Sequence, residues 1–189
     1  MQYSTAMDDQ ERAQSHLNKR YAGAAATYQN GDLALVFVVD TVKHKGVGTE
    51  DEKSVSVGAN YDFGYLQPFV GVQTTRHGQF TGRLLGRDTN DLAVDYKMVD
   101  ASGYAITAGT KVDLRCGRLQ VTANYGSAED TADQDMKLYS IGMMHQYPLS
   151  ARTTFYSGLG FQKATLDLVD GTDRTTRSYE VMAGLKHSF

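Results

Sequence analysis

The sequence lacks features that mark several common classes of protein. Its 189 residues include one cysteine, two prolines and no tryptophan. A single cysteine, Cys116, excludes an intramolecular disulfide. The 19 basic and 22 acidic residues leave a net charge of -3 without a clustered basic excess. Nucleic acid is therefore not expected as a partner.

Long apolar runs are also missing. The clearest one, residues 33–39, is much shorter than the roughly 18 apolar residues of a membrane helix. The first residues lack the basic segment, apolar segment and cleavage site of a secretory signal. Hydropathy alone would class the protein as soluble. A membrane barrel also keeps its mean hydropathy low, because its strands alternate apolar and polar residues, so hydropathy does not decide between the two.

The sequence is instead rich in glycine, with 19 residues, and tyrosine, with 12, and it alternates with a period of two. The segment with Val55 and Val57 on one face and Ser54 and Ser56 on the other is the clearest example in the first half. The alternation predicts an all-β fold with nine strands, at residues 20–29, 33–43, 53–63, 66–76, 103–113, 118–127, 136–147, 152–162 and 177–189.

Three patterns indicate an antiparallel transmembrane barrel. The strands have about the 10 residues that a tilted strand needs to cross a bilayer. Short connections at 30–32, 64–65, 114–117 and 148–151 alternate with long ones at 44–52, 77–102, 128–135 and 163–176, as in outer-membrane barrels. Aromatic residues gather near strand ends, where a bilayer meets water: Tyr28, Tyr61, Phe63, Tyr125, Tyr147 and Phe189.

Specific motifs point to one family. The ending Gly184-Leu185-Lys186-His187-Ser188-Phe189 resembles the Gly-Leu-Arg/Lys-His-x-Phe terminus of Gram-negative general diffusion porins. The turn at 147–153 resembles the turn before the family's penultimate strand. Residues 20–33 resemble a hairpin from the middle of its barrel. The likeness covers residues 20–189 and is greatest to the β-proteobacterial branch.

The resemblance implies a trimeric, sixteen-stranded porin in the outer membrane. It implies passive diffusion of small hydrophilic solutes and ions, no enzymatic activity, no cofactor and no metal. Lipid and lipopolysaccharide are the implied partners. Phe189, with Leu185 and Tyr179 on the same face, corresponds to the family's membrane-insertion signal.

Nine strands are fewer than sixteen, and single-chain bacterial barrels have even strand counts. The chain is therefore interpreted as the C-terminal part of a longer protein. Residues 20–189 form the predicted barrel segment. Residues 1–19 are predicted to be the remnant of an external loop, and their first few residues are compatible with the tail of a preceding strand.

Charged residues with the parity of the polar face are candidate pore-lining residues. They are Lys111, Arg118, Arg152, Lys186, Asp62 and Glu180. The basic ones could belong to a track for anionic solutes, but solvated charges near short turns are the favoured interpretation. Because the signs are mixed, no ion preference follows.

Other polar groups give weaker signals. The acidic stretch 129–135 could hold Ca²⁺, but an ordinary solvated loop is favoured because the spacing matches no EF-hand. His145 and His187 lack a second ligand at metal spacing, so packing at the membrane boundary is favoured. No catalytic constellation stands out, and Cys116 has no neighbouring histidine motif.

Two alternatives remain. One is a structural or adhesive membrane barrel that uses residues 77–102 as a contact surface. The other is a soluble, lipocalin-like binding protein, in which Val55, Val57, Leu119 and Val121 would pack together at the centre.

Overall fold

The computed structural model describes residues 2–5, 20–43, 50–84, 94–167 and 173–188. The side chains of residues 2–5, 20, 79–84, 94–97 and 99 lie outside this description. The described residues form ten strands: β1 (Gln2–Thr5), β2 (Arg20–Asn30), β3 (Leu33–Lys43), β4 (Glu52–Tyr61), β5 (Leu66–Leu84), β6 (Val94–Leu114), β7 (Gly117–Glu129), β8 (Asp135–Pro148), β9 (Thr153–Asp167) and β10 (Asp173–His187).

All ten strands belong to one antiparallel sheet in which each strand pairs with its neighbours in sequence. The nine predicted strands correspond to β2–β10. The short β1 pairs with β2 through Gln2 opposite Gly23 and Thr5 opposite Arg20, as a preceding strand would. Most of the predicted loop at 1–19 lies outside the described residues.

The short connections lie where the sequence predicts them. Gly31 follows the predicted turn residue Asn30 and has a φ of 56°, a conformation that glycine adopts without steric cost. Gly117 closes the β6–β7 hairpin with a φ of 114°, and an added Cβ there would lie against the carbonyl oxygen of Gln146. The edge of the sheet that carries these connections is called the short-turn end.

The opposite edge, called the long-loop end, differs from the prediction. Residues 77–102 were expected to be a loop, but β5 continues to Leu84 and β6 already begins at Val94. The predicted loop at 163–176 is also shortened, because β9 reaches Asp167 and β10 begins at Asp173. A hairpin that projects beyond a bilayer meets water on both faces, so it can pair its backbone without alternating in polarity. Polarity alone therefore indicated a loop where a ladder is present.

The two faces of the sheet differ in polarity and in exposure. On β8, Tyr139, Ile141 and Met143 are exposed, whereas Ser140 and Met144, which alternate with them, are half-buried. Side chains diverge on the outer face of a curved sheet and converge on its inner face. The exposed set, called the apolar face, is therefore the outer one, and the other is called the polar face.

No central hydrophobic core is formed by the described residues. Val57 is 52% exposed and Val181 is 79% exposed, both on the apolar face. The buried hydrophobic side chains lie at the long-loop end of the polar face: Met98, Ala101, Ala128, Ala164 and Leu166. Among the described residues, no helix is long and apolar enough to cross a membrane.

Candidate functional site

A row of uncharged polar side chains crosses the polar face from β6 to β10. Strand pairing places Thr107, Asn124, Ser140, Gln162 and Ser178 in one register row. Thr107 Oγ1 donates to Asn124 Oδ1 at 2.8 Å, and Asn124 Nδ2 donates to Ser140 Oγ at 3.0 Å. This row is called the amide–hydroxyl ladder. It supplies hydrogen-bond donors and acceptors along a wall that water can wet.

The ladder borders a hollow of about 340 Å³ on β7–β10. The candidate residue Glu180 lines this hollow together with Gln120, Gln162 and Ser178. Glu180 lies directly opposite Gly160 on β9. The lining of the hollow combines amides, hydroxyls and one carboxylate with apolar side chains such as Met144 and Met182, and none of the predicted basic residues lines it.

A second hollow of about 420 Å³ lies nearer the short-turn end. It brings together two candidate residues of opposite sign, Lys111 and Asp62. Gln67 Nε2 donates to Asp62 Oδ2 at 2.6 Å, and the backbone N–H of Gly64 donates to Asp62 Oδ1 at 2.7 Å. These two donors fix the orientation of the Asp62 carboxylate. Gln67 was not among the predicted site residues, since a lone glutamine carries no distinctive sequence signal.

Arg118 is held by an exposed ion pair at the short-turn end. Its Nε donates to Asp113 Oδ1 at 2.6 Å and its Nη2 donates to Asp113 Oδ2 at 3.2 Å. The two residues face each other across the β6–β7 ladder. The predicted basic residue therefore presents a partly neutralised charge.

Arg152 and Lys186 also lie at the short-turn end, apart from both hollows. Arg152 belongs to the β8–β9 connection, where its backbone N–H donates to Ser150 Oγ at 3.2 Å. Lys186 is exposed and lies opposite Thr154 on β9. Five of the six candidates thus lie towards this end of the sheet, and Glu180 lies midway along its strand.

Two of the three residues assigned to the insertion signal are described. Tyr179 and Leu185 are exposed on the apolar face of β10. The ring of Tyr179 lies 5.1 Å from that of Phe161, between centroids. Phe189 lies outside the described residues.

Aromatic rings form a band across neighbouring strands of the apolar face. The centroid of Tyr125 lies 5.8 Å from that of Tyr104 and 4.9 Å from that of Tyr139. Near the short turns, the Tyr61 and Phe63 centroids are 4.5 Å apart. Amphipathic rings in this position suit a boundary between hydrocarbon and water.

The histidines and the cysteine make contacts within the protein. His145 Nε2 lies 3.0 Å from the carbonyl oxygen of Cys116, and His187 Nδ1 lies 2.9 Å from Thr153 Oγ1. Cys116 itself is exposed at the β6–β7 turn. Within the described part of the chain, no group of three or more potential ligands could hold a metal ion.

The acidic connection between β7 and β8 is a compact turn. Asp130 is buried, and its Oδ1 accepts hydrogen bonds from the backbone N–H groups of Ala132 and Gln134 at 2.9 and 3.0 Å. This carboxylate orders the turn by satisfying backbone donors. The sequence favoured a solvated loop over a calcium site, and the position of Asp130 gives this carboxylate a structural role.

An exposed apolar face, an aromatic band and a polar inner face together define the wall of an outer-membrane β-barrel. The sequence model of the Gram-negative porin family matches residues 1–166. The chain belongs to that family, and its place is the outer membrane. A search of curated protein sequences gave no match.

Solved structures share the fold at low sequence identity. OmpT, an outer membrane protein of Vibrio cholerae, is 14% identical with a TM-score of 0.62 over 91% of this chain and 49% of that one. Its trimer form is 14% identical with a TM-score of 0.61 over 100% and 57%. An anion-selective porin from Comamonas acidovorans is 23% identical with a TM-score of 0.58 over 90% and 49%. The chain thus spans about half the length of OmpT and of the Comamonas porin.

Proposed function

We propose that the chain forms part of the wall of a water-filled channel through which small hydrophilic solutes and ions diffuse passively. The polar face lines the lumen and the apolar face meets lipid. The protein acts by providing a path and performs no enzymatic reaction. Residues 20–189 are the C-terminal barrel segment of a longer porin.

The reversed polarity of the sheet carries this proposal. Apolar side chains such as Ile141 and Leu159 lie on the more exposed face, where a soluble protein would place polar groups. The amide–hydroxyl ladder lies on the less exposed face, where a soluble barrel would have its core. Only a hydrocarbon exterior and a wet interior favour both arrangements.

The apolar face also suggests which partners surround the proposed channel. The apolar face would contact membrane lipid, with lipopolysaccharide at the level of the aromatic band. A homotrimer of the full-length protein is proposed, supported by the trimer form of the similar OmpT. Part of the apolar face would then be covered by neighbouring copies.

We assign the charges of the polar face to the pore lining. Lys111 and Asp62 line the same hollow, and Arg118, Arg152 and Lys186 lie at the short-turn end. Glu180 contributes a carboxylate further inside. Charges that face the lumen bias the passage of ions, whereas charges on the outer face do not.

The channel is tested by inserting the full-length protein into planar lipid bilayers. Stepwise increases in conductance are expected, and purified, correctly folded protein that gives no steps would refute the proposal. Lys111→Glu is expected to shift the reversal potential in a salt gradient towards cation preference. Lys137→Glu is the matched control, because Lys137 is exposed with the parity of the apolar face and should leave the reversal potential unchanged.

The structure disfavours the soluble carrier and offers no separate support for an adhesive barrel. The carrier hypothesis placed Val55 and Val57 in a common interior, but both are exposed. The adhesive hypothesis relied on residues 77–102 as a loop. The described parts of that stretch, residues 77–84 and 94–102, are strand.

A further inference from the structure

The β5–β6 hairpin contains two facing irregularities near the long-loop end. Thr75 pairs with Gly103, Gly78 with Ala101, and Phe80 with Met98. Between the first two pairs β5 has one extra residue, and between the second and third pairs β6 has one extra residue. These are paired β-bulges, which bend a hairpin and increase its twist.

Each bulge contains a residue in the left-handed region that is not glycine. His77 has a φ of 56° and Asp100 a φ of 59°. His77 Nδ1 and Asp100 Oδ1 are 2.6 Å apart, so the two side chains connect the bulges. Such backbone conformations are unfavourable and persist where surrounding contacts hold them, often at functional sites. This pair is called the clasp.

The hairpin beyond the bulges, residues 78–84 with 94–101, is called the outer arm. The ladder between β6 and β7 ends at Ser102 opposite Glu129, so the outer arm extends past its neighbouring strand. A straight arm would leave Met98 exposed to water on at least one side. Met98 is instead 0% exposed and forms a buried cluster with Ala101 and Ala128, against which Met136 packs.

At the long-loop end, the polar face carries a row of apolar side chains that the outer arm can contact. Its row nearest the long-loop end contains Ala128, Met136 and Leu166, in register across β7–β9. Leu166 is also fully buried. Apolar side chains at this level would be unfavourable on an open, wet wall. The contact of the outer arm with Ala128 and Met136 covers two of them and lowers that cost.

We propose that the outer arm lies across the external mouth of the lumen and sets the size limit for solutes, with Met98 as its anchor and the clasp as the source of its bend. This inference rests on the proposed channel function. The arm narrows the passage from the side of the wall described by this chain.

The decisive variant of the full-length protein deletes His77 and Asp100 together. Because one residue leaves each strand, the Gly78–Ala101 and Phe80–Met98 pairs keep their register while both bulges disappear. The arm should straighten, and both single-channel conductance and the largest sugar that enters swelling liposomes should increase. Met98→Ser should shift both in the same direction. Met143→Ser is the matched control, since Met143 is exposed on the apolar face and its substitution should leave the lumen unchanged.

The position of the outer arm is measured by a disulfide cross-link, independently of transport. In a Cys116→Ser background, the double variant Met98→Cys/Ala128→Cys should form a disulfide on mild oxidation, whether or not the protein conducts. If the unmodified full-length protein gives no conductance but the double-cysteine variant still forms its disulfide, the channel function is refuted while the position of the outer arm is supported. The inference would be overturned if the deletion variant and Met98→Ser both conduct but admit no larger sugar than the unmodified protein does. If the deletion variant does not fold, Met98→Ser and the cross-link decide.

Discussion

The apolar and polar faces use the same backbone under opposite solvation. On the apolar face, Met143, Leu159 and Val181 lie in one register row across β8–β10 and are all exposed. On the polar face, Asn124 and Ser140 lie in the ladder and are bonded to each other. One face depends on the environment outside the protein and the other on contacts within it.

Because of this difference, the same charged substitution should affect the stability of the fold differently at two adjacent residues, one on each face. An exposed apolar side chain stabilises this sheet only when hydrocarbon covers it. A side chain on the polar face can be replaced by a charged one at lower cost, because water lies next to that face. Substitutions matched across the two faces therefore test whether the assignment of solvents is correct.

The largest effect is expected from Met143→Lys. Met143 is 44% exposed in the middle of the apolar face, and a lysine at the bilayer midplane costs about 2–4 kcal/mol. Urea unfolding of the full-length protein in lipid vesicles would show this loss of stability.

Met144→Lys is the matched control for that change. Met144 follows directly in sequence but has the parity of the polar face, opposite Gln120 on β7. It should lose much less stability than Met143→Lys. Equal losses at both positions would contradict the division into a lipid face and a wet face.

A smaller effect is expected inside the lumen from Asn124→Ala. Asn124 accepts from Thr107 and donates to Ser140, and each hydrogen bond contributes about 0.5–1.5 kcal/mol, with the lower value expected near water. Gln73→Ala is the comparison, because Gln73 is exposed on the polar face and has no side-chain hydrogen bond to another described residue. The same unfolding measurement should rank Asn124→Ala below Gln73→Ala in stability.

The smallest effect is expected from Asp113→Asn. The variant removes one charge of the Asp113–Arg118 pair, which is exposed and therefore screened by salt. Any loss of stability should be seen at low salt and should vanish at high salt. A loss that persists at high salt would indicate that the pair is less hydrated than its exposure suggests.

The membrane-crossing part of the fold was predictable from the sequence because two solvents impose a strict period of two. The segment 33–43 was predicted with the same limits that β3 has in the structure. Asn30 and Gly31 marked a turn because few residues adopt the left-handed conformation that the turn requires. The candidates Lys111 and Asp62 were placed on a common face by parity, and pairing brought them into one hollow.

The long-loop end was not predictable by the same reasoning. Beyond the bilayer, alternation is no longer enforced, so residues 77–84 and 94–102 resembled a loop. The bulges depend on the pairing of His77 with Asp100, residues 23 positions apart whose contact no local pattern reveals. Arg118 was predicted as a candidate pore-lining residue, with a solvated charge near a short turn favoured, but its pairing with Asp113 became evident only once the hairpin register was known.

The single thiol has a practical consequence. Cys116 projects from the tip of the β6–β7 hairpin, with its side chain exposed at the short-turn end. A bulky, membrane-impermeant maleimide would reach it from one compartment only. This segment thus carries a reporter of orientation. Labelling of intact cells against osmotically opened cells, with Cys116→Ser as the control for any thiol elsewhere in the full-length protein, would show which edge of the sheet faces the periplasm.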